Sequence, residues 1–135
     1  MSDPSPFDQL LAAAAAQADP QQLLFVFAGA GLPADATPDQ RMSFEQGMGG
    51  ELTPLMCADK PLGEMSSFEA LVAESRDKGP AWHVMFAAGL SGRDGAGPAR
   101  HEIEAALTKM VERVNNGHVD GLLALSSRGD ALDFH

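Results

Sequence analysis

The stretch "LLFVFAGAGLPA", residues 23–34, decides the fold. Its first six residues are apolar without alternation, which is typical of a strand covered on both faces. Such a strand predicts a layered α/β domain, with helices on each side of a sheet. The glycines that follow raise a second possibility, because Gly29-x-Gly31-x-x-Ala34 matches the start of a dinucleotide-binding fingerprint.

That fingerprint lacks the structural context it needs. In a true fingerprint a long helix begins inside the motif, so that its free N–H groups face the pyrophosphate. Here Pro33 and Pro38 flank the residues "ADAT", and Pro38 disfavours helical angles at Thr37. We therefore interpret Gly29 and Gly31 as the end of a strand and not as a nucleotide site.

The rest of the chain alternates between helical and strand patterns. Helices are predicted over residues 6–18, after Thr37, and over 67–78 and 98–116, and further strands over 53–58, 81–88, 121–126 and 131–134. Ser5 and Ser66 are the predicted N-caps of the first helix and of the 67–78 helix. Pro54 either places the second strand at an edge of the sheet or is the entry residue of that strand. Because alternating strands and helices are typical of βαβ units, we expect one α/β domain over residues 1–135. Its sheet is predicted to be mixed and mainly parallel, with about five strands and a C-terminal hairpin.

The amino-acid composition argues against several classes of binding partner. The 135 residues include 9 basic and 19 acidic side chains, which give a net charge of −10. Without a Lys/Arg cluster, binding to nucleic acid or to an anionic membrane is not expected. Asp3 and Asp8 precede the short apolar run Leu10–Ala16, so this segment resembles neither a secretory signal nor a membrane span. The single cysteine fits a reducing compartment, and we expect a cytoplasmic protein.

The sequence offers no catalytic or metal-binding constellation. His83, His101, His118 and His135 form no H-x-x-x-H pattern, so no metal site or cofactor is predicted. Cys57 would act as a nucleophile only beside a histidine base, and we expect a buried, inert thiol instead.

The glycine-rich loop Gly89–Pro98 is the better candidate for a ligand site. Its glycines lead from a strand into a strong helix, and two arginines flank that point, an arrangement that could hold a phosphate or a carboxylate. The candidate ligand-binding residues are Gly92, Arg93, Gly95, Gly97 and Arg100.

A second candidate surface is rich in methionine. Met42 and Met48 lie beside Phe44 and a run of glycines. Methionine adapts its shape and is frequent on permissive binding surfaces. We interpret this segment as a loose cover over one end of the sheet, with docking of another protein at Met42, Phe44 and Met48 as the alternative.

Four blocks of the chain carry a resemblance to a known family: "LLFVFAGAGLP", "LTPLMCADK", "FEALVAESRDKG" and "FAAGLSGR". They resemble a family of small uncharacterised proteobacterial proteins that are often labelled "ribonucleotide reductase subunit alpha". The resemblance covers most of the chain. It implies a family without an established activity, and no functional residues carry over from it.

Taken together, these patterns predict a non-enzymatic protein with a protein–protein interaction or regulatory role. The alternative is a small anionic-ligand binder, for a phosphate or a nucleotide, that uses the loop 89–98. The sequence predicts no oligomeric state.

Overall fold

The computed structural model describes residues 5–31, 38–39, 51–79 and 81–132. Its helices are α1 (Pro6–Ala15), α2 (Phe68–Lys78) and α3 (Arg100–Asn115), and its strands are β1 (Gln21–Gly31), β2 (Glu51–Pro61), β3 (Val84–Ser91) and β4 (Leu123–Leu125). A short 3-10 turn, Leu62–Glu64, follows β2. Pro38 and Asp39 are helical, and the rest of the helix predicted after Thr37 lies outside the described residues.

The four strands form one sheet in the order β2-β1-β3-β4, and every neighbouring pair is antiparallel. The prediction of a mixed, mainly parallel sheet with five strands is therefore wrong. An unbroken apolar run such as Leu23–Ala28 reports burial on both faces, which parallel strands usually have, but it carries no information on strand direction. Here β2 returns alongside β1, so the two form a long antiparallel pair without a crossover.

The predicted fifth strand is reduced to a single bridge in the described residues. Ala131 forms an isolated bridge with Leu125, and the Leu132 N–H donates to the Ala124 carbonyl at 2.9 Å. The turn before it does form, since the Ser126 N–H donates to the Asp130 carbonyl at 2.9 Å. The end of the predicted strand falls on residues 133–135, outside the described part.

Alternation along β1 sends its side chains to two separate cores. One core, between the sheet and the helices α1 and α2, includes Leu23, Phe25, Phe27, Phe7 and Leu71. The other, between the sheet and α3, includes Leu24, Val26, Ile103, Leu107 and Val114. The domain thus has three layers, with helices on both faces of an antiparallel sheet.

Serine side chains cap the N-termini of two helices. The Asp8 N–H donates to Ser5 Oγ at 3.1 Å, which confirms Ser5 as the N-cap of α1. In α2 the Ala70 N–H donates to Ser67 Oγ at 3.1 Å, so the cap is Ser67 and the prediction of Ser66 is wrong. The two neighbouring serines carry the same sequence signal, and only the backbone path selects between them.

A buried hydrogen-bond chain joins α2 to the segment before β3. The Trp82 indole N–H donates to Ser75 Oγ at 2.8 Å, and Ser75 Oγ donates to the Val72 carbonyl at 2.6 Å. The Trp82 ring also packs against Phe27, with ring centroids 5.2 Å apart. This chain satisfies the polar atoms that the apolar core would otherwise leave without partners.

The two serines before α2 give a matched test of the fold. We expect Ser67→Ala to lower the free energy of unfolding by about 1 kcal/mol, because the Ala70 N–H loses its acceptor. Ser66→Ala, at an exposed position, should change it by less than about 0.5 kcal/mol. Urea unfolding followed by circular dichroism measures both values, and the reverse ranking would contradict this cap assignment.

Candidate functional site

The loop between β3 and α3 is a tight turn docked on the start of β1. The Gly92 N–H donates to the Pro20 carbonyl at 2.8 Å. Arg93 and Ala96 exchange backbone hydrogen bonds of 2.9 and 3.0 Å around Asp94 and Gly95, which have φ of 54° and 80°. Two consecutive positive φ values are those of a type I′ hairpin turn. The loop therefore has a fixed shape and is not an open cradle of N–H groups.

Both arginines of the predicted ligand site pair with carboxylates of the same chain. Arg93 forms an ion pair with Glu102 in the first turn of α3. Arg100 makes a two-pronged contact with Asp59 of β2, its Nη2 and Nη1 donating to Oδ1 and Oδ2 at 2.8 and 3.2 Å. Such fork-shaped pairs are the strongest that arginine forms with a carboxylate.

Carboxylates also accept backbone donors of the loop. The Gly95 N–H donates to Asp19 Oδ1 at 3.0 Å, and the Ala99 N–H donates to Glu102 Oε1 at 3.1 Å. The fold brings the predicted residues together with Asp19, Asp59 and Glu102, which the sequence analysis did not single out. Anion binding by this loop stays a prediction, and an external anion would have to displace Asp59 or Glu102 from the arginines.

The ion pairs lower the pKa of the carboxyl groups they contain. Hydrogen bonds from Arg100 hold the pKa of Asp59 below its ordinary value, with a further contribution from the Gln22 amide at 2.6 Å, while burial opposes the shift. The Ala99 N–H, and then the charge of Arg93, lower the pKa of Glu102. Both groups are therefore held in their charged form at neutral pH.

Cys57 is exposed on β2, so the prediction of a buried thiol is wrong. It lies opposite Val26, on the face of the sheet that α3 covers. β2 lies at an edge of the sheet, one of the two positions that Pro54 allowed, and within the described residues a strand covers only its inner side. The apolar neighbours of Cys57 suggested a buried side chain. The edge position of β2 explains why the Cys57 side chain is exposed.

An apolar depression lies on each face of the sheet beside β2. The α3-side groove, of about 350 Å³, is lined by Cys57, Glu104, Leu107, Thr108, Val111 and Glu112. The α2-side groove, of about 230 Å³, is lined mainly by Met56, Ala58, Leu71, Lys60, Glu74 and Lys78. Between them runs the uncharged stretch Leu55–Ala58, in which Leu55 is 36% exposed and is the most exposed large apolar side chain of the described residues.

Other predicted features fall outside these surfaces. Met42, Phe44 and Met48 lie outside the described residues. Within the described ranges, no group of three His, Cys, Asp or Glu side chains could hold a metal ion. None of the helices described combines the length and apolarity needed to cross a bilayer.

Comparison with protein-family models, with curated proteins and with solved structures finds no match to this chain. The function is therefore inferred from the surfaces described above.

The Asp59–Arg100 contact predicts a pH-dependent loss of stability. Since the pKa of Asp59 is lower in the folded chain than in the unfolded one, the contact stabilises the fold above the ordinary carboxyl pKa of about 4. That contribution is lost as the pH falls through the lowered pKa. We expect Asp59→Asn to melt a few degrees below the wild type at neutral pH and to approach it at acidic pH, once the carboxyl group of Asp59 is protonated in the folded wild type.

Thermal unfolding across this pH range measures the difference. Asp120→Asn, a change at an exposed residue, is the control and should melt with the wild type at each pH. A melting difference for Asp59→Asn that does not change with pH would show that the charge of Asp59 is not what stabilises the fold.

Two glycines of the loop between β3 and α3 provide a matched test of its turn geometry. A Cβ on Gly92 would lie 1.9 Å from the Ala96 carbonyl oxygen, whereas a Cβ on Gly97 would have no neighbour within 4 Å. We expect Gly92→Ala to force a backbone shift and to destabilise the domain by about 1–3 kcal/mol. Gly97→Ala should be close to neutral. Chemical denaturation of the two variants makes the comparison, and equal stability would contradict the turn geometry.

Proposed function

We propose that this protein is a non-enzymatic interaction module that binds an extended segment of a partner protein along the outer edge of β2. The observation that supports this proposal is the pair of apolar grooves on the two faces of that edge. Side chains of a strand point alternately to opposite faces, so an added strand would place successive side chains in the two grooves.

The backbone of β2 offers the main-chain contacts that strand addition requires. β2 has 11 residues and lies at the end of the sheet order, so its outer N–H and C=O groups face no other strand in the described residues. Natural edge strands are usually blunted by charge, proline or a bulge. β2 contains Pro54 and Pro61, and it has a bulge at Leu55 because Phe27 pairs with Met56 and Ala28 with Pro54. The stretch Met56–Ala58 has no charge, proline or bulge.

Charge defines the chemistry of the partner segment. The α3-side groove has Glu104 and Glu112 in its lining, in a protein with a net charge of −10. On the other face the acid Glu74 is already paired with Lys60 and Lys78, at 3.0 and 2.9 Å. A segment with apolar side chains on both faces and a lysine or arginine on the α3 side would therefore fit best.

A second copy of the chain fits this edge less well. Two antiparallel β2 strands related by a two-fold axis perpendicular to the sheet would keep both α3 helices on the same face of the joined sheet. The Glu104 and Glu112 side chains of each copy would then approach those of the other, and like charges at an interface are unfavourable. We therefore assign the edge to a basic, extended segment of a different protein.

Selection of peptides tests the proposal without a known partner. A library of random nine-residue peptides is displayed on phage and selected against the protein, and the enriched peptide is synthesised for calorimetry and amide NMR. We expect alternating apolar residues with a flanking Lys or Arg, and shifts centred on Leu55–Ala58. Val111→Lys should weaken binding about tenfold or more, since it places a positive charge in the α3-side groove.

Ala105→Lys is the matched control, because it adds the same charge to an exposed position of α3 outside the groove. Equal effects of the two substitutions, or shifts away from β2, would contradict the proposal. Concentration-dependent dimerisation that Val111→Lys abolishes would assign the edge to a second copy and would also overturn it.

A further inference from the structure

A pocket of about 280 Å³ lies between α2 and the turn after β4, away from the edge of β2. We infer that this pocket binds a phosphate group, carried by a phosphate monoester or present as free phosphate. It is defined by Phe68, Glu69, Val72, Arg76, Ser127 and Arg128. The inference is independent of the peptide-binding edge proposed above.

The first argument for this pocket is that three arginines outside it already have partners within the protein. Arg93 pairs with Glu102, Arg100 pairs with Asp59, and Arg113 donates to backbone carbonyls, one of them that of His118 at 3.0 Å.

Arg76 and Arg128 differ from these three. In the part of the chain that the structure describes, neither guanidinium has an ion pair or a hydrogen bond, and both line the same pocket. In a protein with a net charge of −10, two unpaired arginines at one concave site are the charges best placed for an external anion.

The backbone that carries Arg128 is fixed by hydrogen bonds. Ser126 Oγ accepts from the N–H groups of Arg128 and Asp130, both at 3.2 Å. Gly129 has a φ of 87° and lies against Phe68, where an added Cβ would be 3.4 Å from the ring. The turn is therefore held on α2, and Arg128 starts from a defined position.

The opposite wall is equally well anchored. The Phe68 ring packs on Phe7, with ring centroids 5.3 Å apart, and Val72 is buried in the core. Arg76 lies one helical turn after Val72, so it stands at the rim of an apolar floor. Rigid walls reduce the entropy that binding would otherwise cost.

The chemistry of the lining selects the ligand. Two guanidinium groups present planar sets of N–H donors that match the oxygens of a phosphate, and the Ser127 hydroxyl can add another donor. Glu69 also lines the pocket, so a ligand must interact with both arginines to offset this carboxylate. The volume is below that of pockets for drug-sized ligands, which suits a single anionic group.

Inorganic phosphate is the first probe. It is titrated into the isotope-labelled protein at constant ionic strength, with chloride as the balancing anion, and amide NMR follows residues 72–76 and 127–129. We expect saturable shifts there, a binding constant weakened about tenfold or more in Arg76→Gln/Arg128→Gln, and tighter binding in Glu69→Gln. Both arginines are exposed, so the double variant should keep its fold, which the same spectra verify.

Lys109→Gln is the control, because it removes an exposed positive charge of α3 outside the pocket and should leave phosphate binding unchanged. Unsaturable shifts, or equal binding by the double variant and the wild type, would overturn the inference. Loss of binding in Arg93→Gln alone would also overturn it and would place the anion at the loop between β3 and α3.

A second titration with phosphoserine separates the two sources of the phosphate group. Tighter binding of phosphoserine than of inorganic phosphate indicates a phosphorylated side chain, and equal binding indicates free phosphate.

Discussion

The fold depends on the burial of β1 on both of its faces. The six residues Leu23–Ala28 are each at most 3% exposed, and they alternate between two separate apolar cores. A strand with no polar face cannot lie at a water-exposed surface, so one layer of helices must cover each side of the sheet. β2 and β3 complete the hydrogen bonds of β1 on its two edges, and the other elements are arranged around that centre.

The sequence was sufficient to predict layers and elements, but not the direction of the strands. The helices and the first four strands lie where apolar periodicity placed them, with bounds that differ by up to three residues. All three neighbouring pairs are antiparallel, and the apolar periodicity of a strand carries no information on the direction of its neighbours. The choice of Ser67 over Ser66 depends on the backbone path, which decides which hydroxyl meets the Ala70 N–H.

The sequence predicted the arginines of the candidate site but not the carboxylate side chains that pair with them. A glycine-rich loop with Arg93 and Arg100 before a helix is a reasonable sign of anion binding. The chain has 19 acidic residues, however, and sequence separation hides which of them fold back onto the loop. Asp59 lies 41 residues before Arg100 and becomes its partner only because β2 runs beside β1, under the start of α3. In an acidic protein, an arginine is therefore informative about external ligands only after its internal partners are known.

Folding and the proposed peptide binding place different requirements on the outer edge of β2. Folding needs the inner side of β2 to pair with β1, and nothing in that pairing requires an apolar outer edge. The usual protections are Pro54, Asp59, Lys60 and Pro61 at the flanks and a bulge at Leu55, yet Met56–Ala58 carry none of them. An uncharged edge costs solubility, and a net charge of −10 offsets that cost by keeping copies of the protein apart. A net charge of this sign would also attract the basic segment that we propose as the partner of this edge.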